Sequence, residues 1–202
     1  MTETLAAPLP PGLHAVPPGH VAAVVTHLEM RARPAPRDVP AEGLSLRPMP
    51  APDPDAYRAL WARVGAPWLW QSRLAMDDAR LRAVIHDPAV EVSAVERDGR
   101  AEGIVELDFR EGAEAELAFF GLSEALQGTR AARWMMERAL DRAFARPIRR
   151  LWVHTCTFDH PRALAFYRRT GFAPYATEVE VMPDPRLAGV LPRDAAPHVP
   201  LL

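Results

Sequence analysis

The spacing of apolar positions changes several times along the chain, and each change predicts an element. From His20 to Ala32 (HVAAVVTHLEMRA) apolar and polar residues alternate in a Val-rich run, which predicts a strand. Leu44 to Met49 (LSLRPM) predicts a second strand, paired with the first as a hairpin across the loop 33–43. From Pro52 to Gly65 the spacing becomes helical, with Asp53 as cap, Pro54 in the first turn and Gly65 as the stop. Residues 66–75 (APWLWQSRLA) are aromatic and irregular, and 76–87 (MDDARLRAVIHD) predict a helix capped by Asp77 or Asp78. Period two returns over 89–122 as three strands, with tight turns at Asp98-Gly99 and Glu111-Gly112. A long helix follows from about Thr129 to Ala145, with Ala132, Met135, Met136, Ala139, Leu140, Ala143 and Phe144 on one stripe. Residues 149–158 predict a buried strand and 172–182 a closing strand. Between them lies a short helix that Gly171 stops, with Pro161 in its first turn and Asp159 or His160 as cap.

This order predicts an α/β fold with a central mixed sheet. Residues 1–19 hold five prolines and read as an extended arm, 20–182 as a single domain, and 183–202 as a Pro-rich tail. With 202 residues, 49% of them hydrophobic, the chain is large enough for one domain with a sizeable core. A net charge of −2 gives nothing to draw the chain to nucleic acid or an anionic membrane, and the expectation is no partner of either kind. Cys156 is the sole cysteine, so no internal disulfide forms and a reducing compartment is expected. No apolar run reaches the ~20 residues of a membrane span, and the N-terminus lacks a signal-peptide pattern. A cytoplasmic protein is the expectation. One Cys and scattered His residues make no metal spacing.

Two stretches carry candidate chemistry. At Gln127-Gly128-Thr129 a loop runs into the start of the long helix. Unpaired N–H groups and the positive end of the helix dipole suit a pyrophosphate there, and Gly128 permits close approach of backbone. By the same local reading it is also an ordinary strand-to-helix turn. In DHPRALAFYRRTGF, Tyr167 lies one helical turn from Ala163, facing either the core or a reacting molecule.

Together, Gln127-Gly128-x-x-x-Ala132 and x-x-Ala163-x-x-x-Tyr167-x-x-x-Gly171-Phe172 resemble the GNAT superfamily of acyl-CoA-dependent N-acyltransferases, over about residues 44–182. That family has a Q/R-x-x-G-x-G/A loop at the head of its long helix and an N-x-x-A-x-x-x-Y-x-x-x-G-F helix near its end. Arg130 here replaces the central Gly, and His160 stands at the Asn position. The resemblance implies a GNAT-like, mostly antiparallel sheet with helices on both faces. It also implies acetyl-CoA as co-substrate, an amine acceptor, and room for a homodimer. It assigns Gln127, Gly128, Thr129, Arg130, Ala131, Ala132, His160 and Ala163 to the cofactor. Phe120, Gly121 and Leu122 fall at the pantetheine, where the family strand bulges and splays, with Gly121 suited to the bulge. Tyr167 becomes the acid that protonates the departing thiolate. Counting back six residues from Leu122, as in one protein-acetylating branch, makes Glu116 the base. Glu106, Asp108, Glu114, Glu29, His154 and His160 stay open as alternatives. Trp68 and Trp70 lie in the segment that in this family shapes the acceptor pocket, and they read either as a clamp on an apolar or cationic acceptor or as lid packing. The competing reading is a GNAT-like module that binds acyl-CoA or a protein partner without turnover.

Overall fold

The computed structural model describes residues 8–202. Seven strands, β1 (His20–Met30), β2 (Leu44–Pro48), β3 (Val90–Arg97), β4 (Arg100–Asp108), β5 (Glu114–Leu122), β6 (Arg150–Cys156) and β7 (Ala173–Pro183), join in one sheet. Its order is β2-β3-β4-β5-β6-β1-β7, and only β5 and β6 run parallel. Four α-helices complete it: α1 (Pro54–Gly65), α2 (Asp78–Ile85), α3 (Ala131–Phe144) and α4 (Ala163–Thr170).

Local chemistry accounts for most boundaries. The Asp53 carboxylate accepts from the N–H groups of Asp55 and Ala56, both at 3.1 Å, and Asp77 accepts from Arg80 N at 2.8 Å. Asp98 and Gly99 both take positive φ, the requirement of a tight β3–β4 hairpin turn. Period two then sorts the sheet residues onto two cores. Ala94 and Ile104 pack under α1 and α2 with Tyr57, Trp61 and Leu81. Their neighbours Val95 and Val105 pack under α3 and α4 with Met135, Leu140 and Tyr167.

Three expectations change. The β1–β2 hairpin does not form: β2 pairs with β3, at the far edge, and β1 sits between β6 and β7. The reason lies in β1 itself, which buries Val21, Ala23 and Val25 on one face and Leu28 and Met30 on the other. A strand apolar on both faces is central and takes a neighbour on each side. Residues 33–43 instead carry the chain across α3, where Arg33 pairs with Glu137 and Asp141. The long helix begins at Ala131, and its buried face also includes Ala131 and Trp134. The short helix begins at Ala163 with no side-chain cap. Asp159 and Pro161 stay outside it, and the His160 ring accepts from Arg162 N at 3.1 Å.

Residues 184–202 form no helix or strand, yet they are packed. Leu191, Ala196 and Val199 cluster with Val21, Ala23, Leu69 and Phe158. Among the described residues no helix is long and apolar enough to cross a membrane.

Candidate active site in the split of the sheet

Strands β5 and β6 are joined at only three pairs, Glu114 with Arg150, Ala115 with Leu151 and Glu116 with Trp152. Beyond Glu116 they part, and the β6-facing backbone edge of Leu117–Leu122 has no strand beside it. A bulge helps to turn β5 away. Glu106 and Leu107 on β4 face Phe119 and Leu117, so Ala118 is the extra residue. The bulge therefore lies at Ala118 and not at Gly121, as the sequence suggested. Gly121 has a different use: a Cβ there would lie 2.5 Å from Val64 Cγ1 and 2.9 Å from Trp70 Cη2. The missing side chain lets α1 and the Trp70 ring close on the strand.

The split opens into a cavity of about 1110 Å³. Phe120, Gly121, Leu122, Gln127, Gly128, Thr129, Arg130, Ala132, His160, Ala163, Tyr167, Glu116, Trp68 and Trp70 all line it. Ala131 does not; it is 1% exposed, and its N–H is spent on Thr129 Oγ1 at 3.1 Å. At this helix start the N–H groups of Gly128, Thr129, Arg130 and Ala132 have no partner among the described residues. Gly128 takes φ of 75°, and nothing lies within 4 Å of where its Cβ would be. Four free donors at the positive end of α3, beside open space, form an anion cradle. Arg130 points its guanidinium toward Glu42 at 3.8 Å and is otherwise exposed.

Tyr167 is 6% exposed and rings with Phe120, Phe166 and Phe172 surround it. Burial, and then the nearby Asp159 carboxylate, push its phenol well above the usual range, so the hydroxyl holds its proton through neutral pH. It donates to no group among the described residues, and Tyr167 lines the cavity.

Across the split, Glu116 and His154 meet at 3.4 Å between Oε1 and Nδ1. The Glu116 hydrogen bond outweighs burial and, with the charges of Glu116, Asp159 and Glu180, holds the imidazole above its ordinary value. The other acids considered are engaged elsewhere. Glu29 and Glu114 pair with Arg150, and Asp108 with Arg110. Glu106 is 0% exposed, accepting from Tyr57 OH at 2.6 Å and from Arg73. Of the carboxylates considered, Glu116 thus faces the cavity without an arginine partner. Burial, with Asp159 second, raises Cys156 to about 11, so it stays a thiol and is no nucleophile at neutral pH.

Sequence reasoning missed Asp159 as an organiser. One of its oxygens accepts from Thr155 Oγ1 at 2.7 Å and Cys156 N at 3.0 Å, the other from Trp70 Nε1 at 3.2 Å. It also missed the Tyr57–Glu106–Arg73 cluster under the cavity. An acid inside the apolar run Gly103–Phe109 was the available signal, since such a carboxylate needs buried partners. Trp68 lies between His160 and His198, with ring centroids at 5.4 and 5.7 Å.

Three comparisons bear on this arrangement. The Acetyltransferase (GNAT) family matches residues 54–172. No curated protein matches the sequence. Solved structures match in fold. A GNAT-family protein from Novosphingobium aromaticivorans superposes with a TM-score of 0.55 at 17% identity, covering 83% of this chain and 68% of its own. A GCN5-related N-acetyltransferase from Kribbella flavida gives 0.54 at 18% identity, covering 85% and 63%. An aminoglycoside acetyltransferase from an uncultured soil metagenomic sample gives 0.53 at 14%, covering 64% and 88%. The chain thus spans about two thirds of the length of the first two.

Proposed function

From a chain that belongs to the acetyltransferase (GNAT) family, we propose an enzyme that moves an acetyl group from acetyl-CoA to a primary amine of a small molecule or peptide. One observation carries the reading. The free edge of β5 leads straight to the donors at Gly128, Thr129, Arg130 and Ala132, inside the cavity that holds Tyr167 and Glu116. An extended amide-bearing arm fits the first and a pyrophosphate the second, which is the donor set that acetyl-CoA needs. The co-substrate supplies the acyl thioester and the acceptor its nitrogen; the chain supplies the groups that hold them and move the protons.

Glu116, with His154 beside it, takes the proton that the acceptor ammonium must lose before its nitrogen can attack. Unpaired N–H groups along the β5 edge steady the negative charge that develops on the thioester oxygen. As the C–N bond forms and the C–S bond breaks, Tyr167 gives its proton to the leaving sulfur, and the second proton that the attacking nitrogen loses returns through solvent to the phenolate left behind. The raised pKa of Tyr167 keeps its own proton in place until then. Trp70, fixed by Asp159, and Trp68 wall the acceptor side.

The test is a release assay for free CoA thiol with ethanolamine, spermidine, glycinamide and a lysine-containing tetrapeptide as probes, beside calorimetry of acetyl-CoA. Binding with turnover of at least one amine is expected; binding with no turnover of any would leave a non-catalytic acyl-CoA module. In Gly128→Glu a carboxylate enters the anion cradle, and acetyl-CoA affinity should fall at least about tenfold. Unchanged affinity in the folded variant would put the site elsewhere.

A further inference from the structure

Segment 184–202 packs against two loops that line the cavity, and its internal bonding is built to hold it there. Asp184 and Arg186 are 2% and 3% exposed. Arg186 donates from Nε and Nη2 to the two Asp184 oxygens at 3.0 and 2.7 Å. Its Nη1 donates to Val199 O at 2.8 Å and Ala195 O at 3.2 Å, and its Nη2 to Pro200 O at 3.2 Å. One buried guanidinium thus gathers the carbonyls of 195–200 around itself. Asp184 N in turn donates to Gly19 O at 2.9 Å, which anchors the clasp to the start of β1.

What the clasp presents is His198. Its Nε2 lies 3.1 Å from Phe158 O, and its ring lies against Trp68. Trp68 in turn meets the His160 ring, and Trp68 and His160 both line the cavity while His198 does not. Beside them Leu69 and Phe158 are buried against Leu191, Ala196 and Val199. The segment therefore braces two loops at once, 66–70 and 157–160. Neither loop has the ladder of a strand to hold it. Leu69 even takes positive φ, a conformation that costs a non-glycine residue energy and persists only where surroundings fix it.

We propose that residues 184–202 are the outer brace of the acceptor site and that His198 is a positioning residue for Trp68. This rests on the reading of the cavity given above. His198 touches no reacting group; it sets the separation of the two loops that flank the acceptor.

Hydrogen–deuterium exchange on the full chain tests the brace without any assumption about activity. In His198→Ala, amides of 66–72 and 157–162 should exchange faster while those of α3 keep their wild-type rate. Unchanged exchange in both loops would overturn the proposal, and so would uniformly faster exchange, which would make His198 a support of the whole fold. His198→Phe keeps the ring against Trp68 and should restore part of the protection. The functional arm uses whichever of the four probe amines is turned over. Its KM should rise about tenfold in His198→Ala, with acetyl-CoA affinity and kcat near wild type. An unchanged acceptor KM would reject the role in the site. If none of the amines is turned over, the acetyl-transfer reading fails, and the exchange result still decides the brace.

Discussion

At the scale of single residues the chemistry rests on groups whose surroundings set their protons. Tyr167→Phe removes one hydroxyl from a ring that keeps its contacts with Phe120, Phe166 and Phe172. Stability should stay within ~1 kcal/mol, because that hydroxyl bonds no group among the described residues. Turnover should fall by ~10²-fold with acetyl-CoA affinity nearly unchanged. Melting temperature and kcat on one preparation distinguish this from a packing role, in which stability falls and the rate per folded molecule holds. For His154 the shift is upward, from Glu116. The bond between them therefore adds to stability fully below the ordinary value near 6.5, and that contribution fades as pH rises through the folded value. Activity runs the opposite way, since a proton acceptor must first be free of its own proton. An NMR titration should place the imidazole midpoint above 6.5, and Glu116→Gln should lower it. A midpoint indifferent to Glu116→Gln would mean the two do not interact in solution.

Among elements, β4 holds an arrangement that its own pattern signalled only in part. Its burial is continuous from Glu102 to Asp108, and Glu106 lies inside it. The carboxylate is tolerated because Tyr57 of α1 and Arg73 of the loop after it converge on it. Burial, the largest single influence, opposes the Arg73 charge, but Glu106 and Tyr57 together outweigh it and keep the guanidinium above its ordinary value. Arg73 also lies over the Phe119 ring at 5.0 Å. The cluster thus ties α1, β4, β5 and the loop 66–75 into one floor under this part of the cavity. Arg73→Met would leave Glu106 buried with one neutral partner. A loss of ~3–5 kcal/mol is expected, read as a lower urea midpoint at unchanged slope. If the midpoint holds, the ion pair contributes nothing net, and shape alone supports the floor.

For the molecule as a whole, the two Pro-rich ends look alike in sequence and differ in structure. Among residues 8–16 the one hydrogen bond is internal, from His14 to Pro10 O at 2.8 Å. Removing residues 1–12 should leave melting temperature and turnover unchanged, and a loss of turnover without unfolding would show that the arm covers the site. The end after Pro183 is clasped by Arg186 instead, a contact between residues up to fourteen apart. That contrast marks the limit of sequence reading here. Periodicity, caps and turn chemistry are local, so the helix cap at Asp53, a second cap narrowed to Asp77 or Asp78, the Asp98-Gly99 turn and the order of elements could be read directly. The motifs at Gln127–Ala132 and Ala163–Phe172 were legible because a helix start and a helical spacing place their residues within a few turns of one another. Pairing is not local. Whether β1 meets β2 or β6 and β7 depended on which faces of a central strand needed cover, and the answer spans more than a hundred residues. The bulge at Ala118, the parting of β5 and β6 after Glu116, and the meeting of Glu116 with His154 exist only once those strands are side by side. The sequence by itself determined the elements, their order and the family's two motifs. Tertiary packing decided which acid faces the cavity and which loops wall it, because those contacts join residues that no spacing rule connects.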